Sequence, residues 1–157
     1  MGSEMCIRDS SEGGNYKPAF AVNVSNKWPG GGILTTPMDL VRLAGGLLDP
    51  AFIRRHVQTE FTTVQVLSDG TSNPQRYALG LRVDGTDSPT VGALHHGGTA
   101  VGGAAYLFID PHTGITVAVM TNTGLDSSDR LGELARRIAA AYTIDSTPDN
   151  KRDTHHG

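Results

Sequence analysis

The spacing of apolar residues along this chain changes twice, and each change marks a new kind of element. Leu40, Leu43, Leu47 and Leu48 recur at helical intervals, the stripe that a helix buries against a core. Thr36 suits the N-cap ahead of them, Pro37 the first helical position and Asp39 the positive first turn. The spacing therefore predicts a helix over 37–48. Gly45 and Gly46 lie inside it and each costs about 1 kcal/mol relative to Ala. Either a neighbour packs closely there or the helix ends early. A second short helix is predicted over 51–58, starting at Pro50, and 59–75 reads as a polar loop with some strand character in FTTVQVL.

From residue 76 the period drops to two. Tyr77, Leu79, Leu81 and Val83 alternate with other residues, which predicts a half-buried strand over 76–84. Three more strands are expected over 91–96, 103–110 and 114–122. Asp110, Pro111 and Gly114 supply hairpin-turn chemistry between the last two. ITVAVMT is apolar on both faces, so that strand should be central in its sheet and covered on both sides. Helical spacing then returns. With Asp126, Ser127 or Ser128 as cap, a helix over 128–142 should present Leu131, Leu134, Ala135, Ile138, Ala139 and Tyr142 to the sheet. The class predicted is α+β, an antiparallel sheet flanked by helices.

Composition narrows the picture further. A chain of 157 residues with 38% hydrophobic and 18% charged residues has one domain's worth of core. A net charge of −3 offers no basic footprint for nucleic acid and no polybasic membrane patch. The longest apolar runs are far too short to span a bilayer. Residues 1–10, MGSEMCIRDS, resemble translated adapter sequence, so they read as an artefactual leader that contains the single cysteine, Cys6. Residues 11–29 are irregular and broken by Gly13, Gly14, Pro18 and Pro29. The domain is expected over 11–143, and the polar tail over 144–157 is expected to be disordered.

Candidate chemistry concentrates in LHHGGTAVGG, residues 94–103. Metal binding is a poor reading. None of His56, His95, His96, His112, His155 and His156 shows HExxH or similar spacing, and adjacent His95 and His96 point to opposite faces of a strand. The chain also contains no GxSxG, no Ser-x-x-Lys, no Tyr-x-Asn and no phosphate-binding glycine motif. No metal or other cofactor is expected. Trp28 reads as a loop aromatic, Asp39 as a helix-terminal carboxylate, Asp110 as a turn residue, and Asn122 and Thr123 as strand-end capping residues.

Three segments carry a resemblance. GGGILTTPMDLVRLAGGLL, YALGLRVD and HHGGTAVGGAAYLFIDPHTGITVAVMTNTG are together similar, in order and spacing, to serine β-lactamase-like hydrolases and penicillin-binding-protein relatives over about residues 16–143. The resemblance implies a partial β-lactamase/transpeptidase-like fold. It also implies acyl-enzyme chemistry on a β-lactam, a D-amino peptide or an ester, with a small-molecule or peptide substrate as the partner of the complete protein. In that family a Lys-Thr-Gly or His-x-Gly element forms one wall of the site, and a backbone N–H just after it completes the oxyanion hole. Two registers fit. With His96 at the polar position, Gly97 and Gly98 follow and Thr99 supplies the N–H; with His95 there, Gly98 supplies it. Spacing to Gly102 and Gly103 favours His96 as the catalytic residue, with His95, Gly97, Gly98 and Thr99 lining the substrate.

The family's first two catalytic elements, Ser-x-x-Lys and Tyr-x-Asn, have no counterpart here. The resemblance therefore implies the C-terminal portion of a serine hydrolase, inactive by itself, with an exposed sheet edge and an apolar patch. Alternatives are a non-catalytic module binding peptide or cell-wall fragments in the same groove, or a structural or interaction domain. A histidine at the polar position titrates near neutrality, so activity of the complete enzyme should vary between about pH 5 and 8. A flat pH–rate profile across that range would argue against catalytic His96.

Overall fold

The fold rests on a four-stranded antiparallel sheet with helices on both faces. The computed structural model describes residues 8–10, 16–19, 21–23, 25, 33–85, 92–125 and 127–145. Most of the leader, Trp28, the glycines at 30–32, Asp126 and the tail after Asp145 lie outside the described residues. Within the segment expected to be leader, β1 (Arg8–Ser10) pairs antiparallel with β2 (Tyr16–Pro18).

The first helix, α1 (Pro37–Leu48), begins and ends where the spacing predicts. Thr36 Oγ1 accepts from the Asp39 backbone N–H at 3.2 Å and donates to the Asp39 carboxylate at 2.8 Å, which secures the first turn. Gly46 is explained by packing: a Cβ there would sit 3.1 Å from the Phe52 ring. The second helix, α2 (Arg55–Thr62), starts four residues later than expected. The Asp49 carboxylate and carbonyl take the N–H groups of Ala51, Phe52 and Ile53, so this stretch closes as a turn before a helix can propagate. The helix then continues into what reads as loop.

The strand expected over 76–84 is a second departure. Only β3 (Arg82–Val83) is strand, and Tyr77 folds back to bridge Arg82. Gly80 at φ +84° makes the reversal, and the Ala78 N–H donates to the Leu81 carbonyl at 2.8 Å. That positive φ is a conformation glycine adopts freely. Leu79 is consequently exposed while Leu81 and Val83 are buried.

The remaining strands form a meander of β4 (Leu94–Ala100), β5 (Gly103–Ile109) and β6 (Thr116–Thr121), giving the order β3-β4-β5-β6. β4 runs four residues past the predicted end, because Gly97, Gly98, Thr99 and Ala100 all pair with β5. The Asp110 turn is as expected, with Gly114 at φ +73° and the Asp110 carboxylate accepting from the His112 N–H at 2.9 Å. β6 departs from expectation in one respect. Both its faces are covered, by α1 and by α3 (Asp129–Asp145), yet among the described residues it is the sheet edge rather than a central strand.

Two apolar clusters hold the layers together. On one face Leu40, Ala44, Leu47 and Leu48 of α1 meet Leu81, Val83, Leu94, Leu107, Ile109 and Ala118. Leu94 and Ile109 are directly opposed and fully buried, each contributing about 1.5–3 kcal/mol by leaving water. On the other face Leu131, Ala135, Ile138 and Ala139 of α3 pack on Tyr106, Phe108, Val117 and Val119. Leu134 and Tyr142, expected in that stripe, are 43% and 68% exposed. Ile33, Leu34, Met38, Leu43 and Phe52 leave an exposed apolar region around α1.

Helix and sheet approach closely at Gly132 of α3, where a Cβ would lie 2.7 Å from Tyr106 Cε2 and Cζ. Replacing a helical Gly by Ala ordinarily stabilises by about 1 kcal/mol. Gly132→Ala should instead destabilise by about 1–3 kcal/mol through overpacking. Urea denaturation measures this, and a variant more stable than the parent would overturn the packing argument.

Candidate active site

The two adjacent histidines belong to different environments. Strand alternation sends His95 to the α3 side, where its cross-strand partner is Phe108, and His96 to the α1 side, opposite Leu107. His95 is largely buried, while His96 is exposed.

His95 closes a ring of four side chains. Its Nε2 lies 3.0 Å from Asp84 Oδ1, and its Nδ1 lies 2.8 Å from the Tyr106 hydroxyl. Arg136 Nη1 donates to the Tyr106 oxygen at 2.9 Å, and Arg136 Nη2 donates to Asp84 Oδ2 at 2.6 Å. An ionised carboxylate only accepts, so Nε2 must carry a proton, and Nδ1 is then free to accept from the tyrosine. The ring closes without an idle donor only when His95 is neutral. Burial pushes the His95 imidazole below its usual range, the charges of Arg136 and Arg82 add to this, and Asp84 opposes it. The ring joins the end of β3, β4, β5 and α3. His95 is thus occupied on the face away from His96, and the two do not line one surface.

Gly97 also looks toward α3. A Cβ there would run into Ser128 Oγ and lie 2.6 Å from the Tyr106 ring, so internal packing accounts for the missing side chain. Gly98 is different. It is exposed on the His96 side, and no atom of the described residues lies within 4 Å of where its Cβ would be. Packing among the described residues gives no reason for a bare backbone there.

Among the described residues, nothing pairs with the outer edge of β4 beyond His95. β3 pairs with Leu94 and His95 alone, and the Asp84 N–H donates to the Ala93 carbonyl at 2.7 Å. Alternation from Ala93 directs the backbone groups of Gly97 and Thr99 to the open edge, and those of His96 and Gly98 to β5. The Thr99 N–H is therefore placed to receive an acceptor, and the Gly98 N–H is used within the sheet. Thr99 itself is exposed.

His96 has one side-chain neighbour of note. The Tyr77 hydroxyl lies 3.3 Å from its Nε2, with the rings tilted by 57°. The Arg82 guanidinium sits over the Tyr77 ring, 4.8 Å from its centroid. Partial burial pushes the His96 imidazole below its usual range, and the Arg82 charge pushes it the same way.

A cavity of about 300 Å³ opens elsewhere, between α1, α2 and the sheet, lined by residues including Leu47, Arg55, Gln58, Phe61 and Leu94. It does not include His96, and its walls offer no nucleophile paired with a base. Sequence reasoning missed Asp84, Tyr106 and Arg136. The signal available was Arg136 at helical spacing from Gly132 and Ala139, a cation beside an apolar stripe that needs a buried partner. It also took Tyr77 for a strand residue.

Comparison with protein families gives a match between residues 6–142 and the family described as Beta-lactamase. No match was found among curated proteins.

The His95 ring generates a pH effect on stability. Unfolded imidazoles titrate near the ordinary 6.5, and those of His95 and His96 titrate lower in the fold. Between the two values the unfolded chain binds more protons, so stability is full above that ordinary value and falls as pH drops below it. The urea midpoint should therefore decrease from pH 7.5 to pH 5, and Tyr106→Phe should cost about 1–2 kcal/mol at neutral pH. A midpoint independent of pH over this interval would contradict the neutral ring.

Proposed function

The chain belongs to the Beta-lactamase family, and from that premise we propose that it supplies one wall of an acyl-transfer site in a serine hydrolase. His96 is the polar group of the wall, Gly98 its open surface and the Thr99 N–H its oxyanion donor. The nucleophile and its proton relay come from a segment outside this sequence. Substrates are acyl compounds of the β-lactam, D-amino peptide or ester type.

The difference between the two neighbouring glycines carries this reading. Gly97 is bare because Tyr106 and Ser128 fill its side, whereas Gly98 is bare with no described residue within 4 Å of its Cβ position. A strand that keeps an exposed glycine next to a histidine and an unpaired edge is suited to receiving an extended ligand backbone. The Thr99 N–H, directed to the same edge, can hydrogen-bond a carbonyl oxygen and more strongly an oxyanion. The same alternation supports His96 over His95 as the working histidine, because His95 is committed to Asp84 and Tyr106 on the far side.

Sequencing the adjoining coding region and expressing the continuous protein tests the proposal. An in-frame Ser-x-x-Lys and Tyr-x-Asn are expected, and the product should be labelled covalently by fluorescent penicillin or a fluorophosphonate. In that protein His96→Ala should lower kcat/KM by about 100-fold or more, the usual scale for loss of a positioned proton-transfer or polar group. The present chain alone should take up no label. Covalent labelling of it would overturn the placement of the nucleophile, and an unaffected His96→Ala enzyme would overturn the role of His96.

A further inference from the structure

The contact between Tyr77 and His96 bears on the state of the imidazole itself, and its value to the site rests on the reading of His96 as the polar group of the wall. We propose that Tyr77 is a positioning residue: its hydroxyl donates to His96 Nε2 and fixes the imidazole as the neutral Nδ1–H tautomer, so the nitrogen left for a ligand is a donor. Arg82 is the group that polarises Tyr77 for this task.

The neighbouring charge of Arg82 favours one direction of the bond. Tyr77 O and His96 Nε2 are 3.3 Å apart, and either atom can be the donor in principle. Arg82 stands 4.8 Å from the Tyr77 ring centroid. A cation over a phenol draws electron density from the ring and makes the O–H a better donor. The same charge disfavours a proton added to His96. Arg82 is held in place by Gln75 Oε1, which accepts from its Nη2 at 3.2 Å. Among the described residues no carboxylate lies within ion-pair distance of Arg82, and its buried Nε has no hydrogen-bond partner. Among the described residues nothing at ion-pair distance offsets its field at Tyr77 and His96.

Other elements around His96 do not compete. Across the sheet its partner on β5 is the apolar Leu107, and on its own strand His95 points to the other face. Among the described residues Arg82 is the charged group that acts on His96. Tyr77 is itself anchored by the backbone: its carbonyl accepts from the Gln65 N–H at 2.8 Å, and it bridges Arg82. The reversal at Gly80 brings the two together, five residues apart on a chain that doubles back. A continuous strand over these residues would direct a tyrosine and an arginine at that separation to opposite faces.

The consequence for the site is specific. A lysine at the same place offers a charged donor, whereas His96 held this way offers an uncharged one while its second nitrogen stays occupied. The experiment is long-range proton–nitrogen correlation on the chain labelled with nitrogen-15 histidine at pH 7.5, the His96 signals being assigned from His96→Gln. His96 should carry its proton on Nδ1. In Tyr77→Phe the majority form should switch to Nε2–H, and in Arg82→Gln the His96 titration midpoint should rise. Finding Nε2–H in the parent chain, or no tautomer change in a folded Tyr77→Phe, would overturn the proposal. A merely structural Tyr77 would lower stability and leave the tautomer alone. If Tyr77→Phe does not fold, the parent spectrum still decides. The readout needs no turnover, so an active His96→Ala full-length enzyme would remove the functional reading while leaving this one standing.

Discussion

Much of the molecule's order depends on the placement of one ring. Tyr106 lies between Gly97 on β4 and Gly132 on α3, where neither neighbour has room for a Cβ, and its hydroxyl joins His95 to Arg136. An aromatic enclosed in this way fixes the distance between helix and sheet and the register of β4 against β5 together. A slip of one residue would turn His95 to the α1 side and His96 into the space filled by α3. The apolar cluster beneath α3 supplies burial energy, and the ring of Asp84, His95, Tyr106 and Arg136 supplies direction. Half-exposed Asp84 and Arg136 lose part of their attraction to solvent screening, so the ring matters more as a locator than as a source of stability.

The sequence is legible where a local rule acts alone. Thr36, Pro37 and Asp39 announce α1 because capping and dipole effects need only neighbouring residues, and the Asp110 turn is readable for the same reason. It is illegible where two rules compete. Alternation through Tyr77, Leu79, Leu81 and Val83 is real, but Gly80 reverses the chain, and a period of two cannot show that. Asp49 delays α2 by capturing N–H groups that a helix would otherwise use. The two apolar faces of β6 are both covered, as its composition requires, but its neighbours along the sheet are set by topology, which periodicity does not record.

The candidate site divides along the same line. Glycine-rich sequence after two histidines marks the region, and spacing to Gly102 and Gly103 favours His96, yet nothing local shows how the surroundings of Gly97 differ from those of Gly98, or those of His95 from those of His96. Only partners distant in sequence do so: Tyr106 and Ser128 for Gly97, Asp84 and Arg136 for His95, Tyr77 for His96. Long-range contacts set these surroundings apart, and a single sequence does not display them.

The two adjacent glycines of β4 also have different mutational futures. At position 97 any side chain must displace an aromatic ring, so variants there lose folding stability before they gain anything else. At position 98 a methyl group meets no neighbour among the described residues, and its cost to the fold is small. Substitutions at Gly98 can accumulate with little penalty from protein quality control, while Gly97 stays under the threshold that stability imposes. One peptide unit apart, the first residue is held by heredity of fold and the second is open to adaptation.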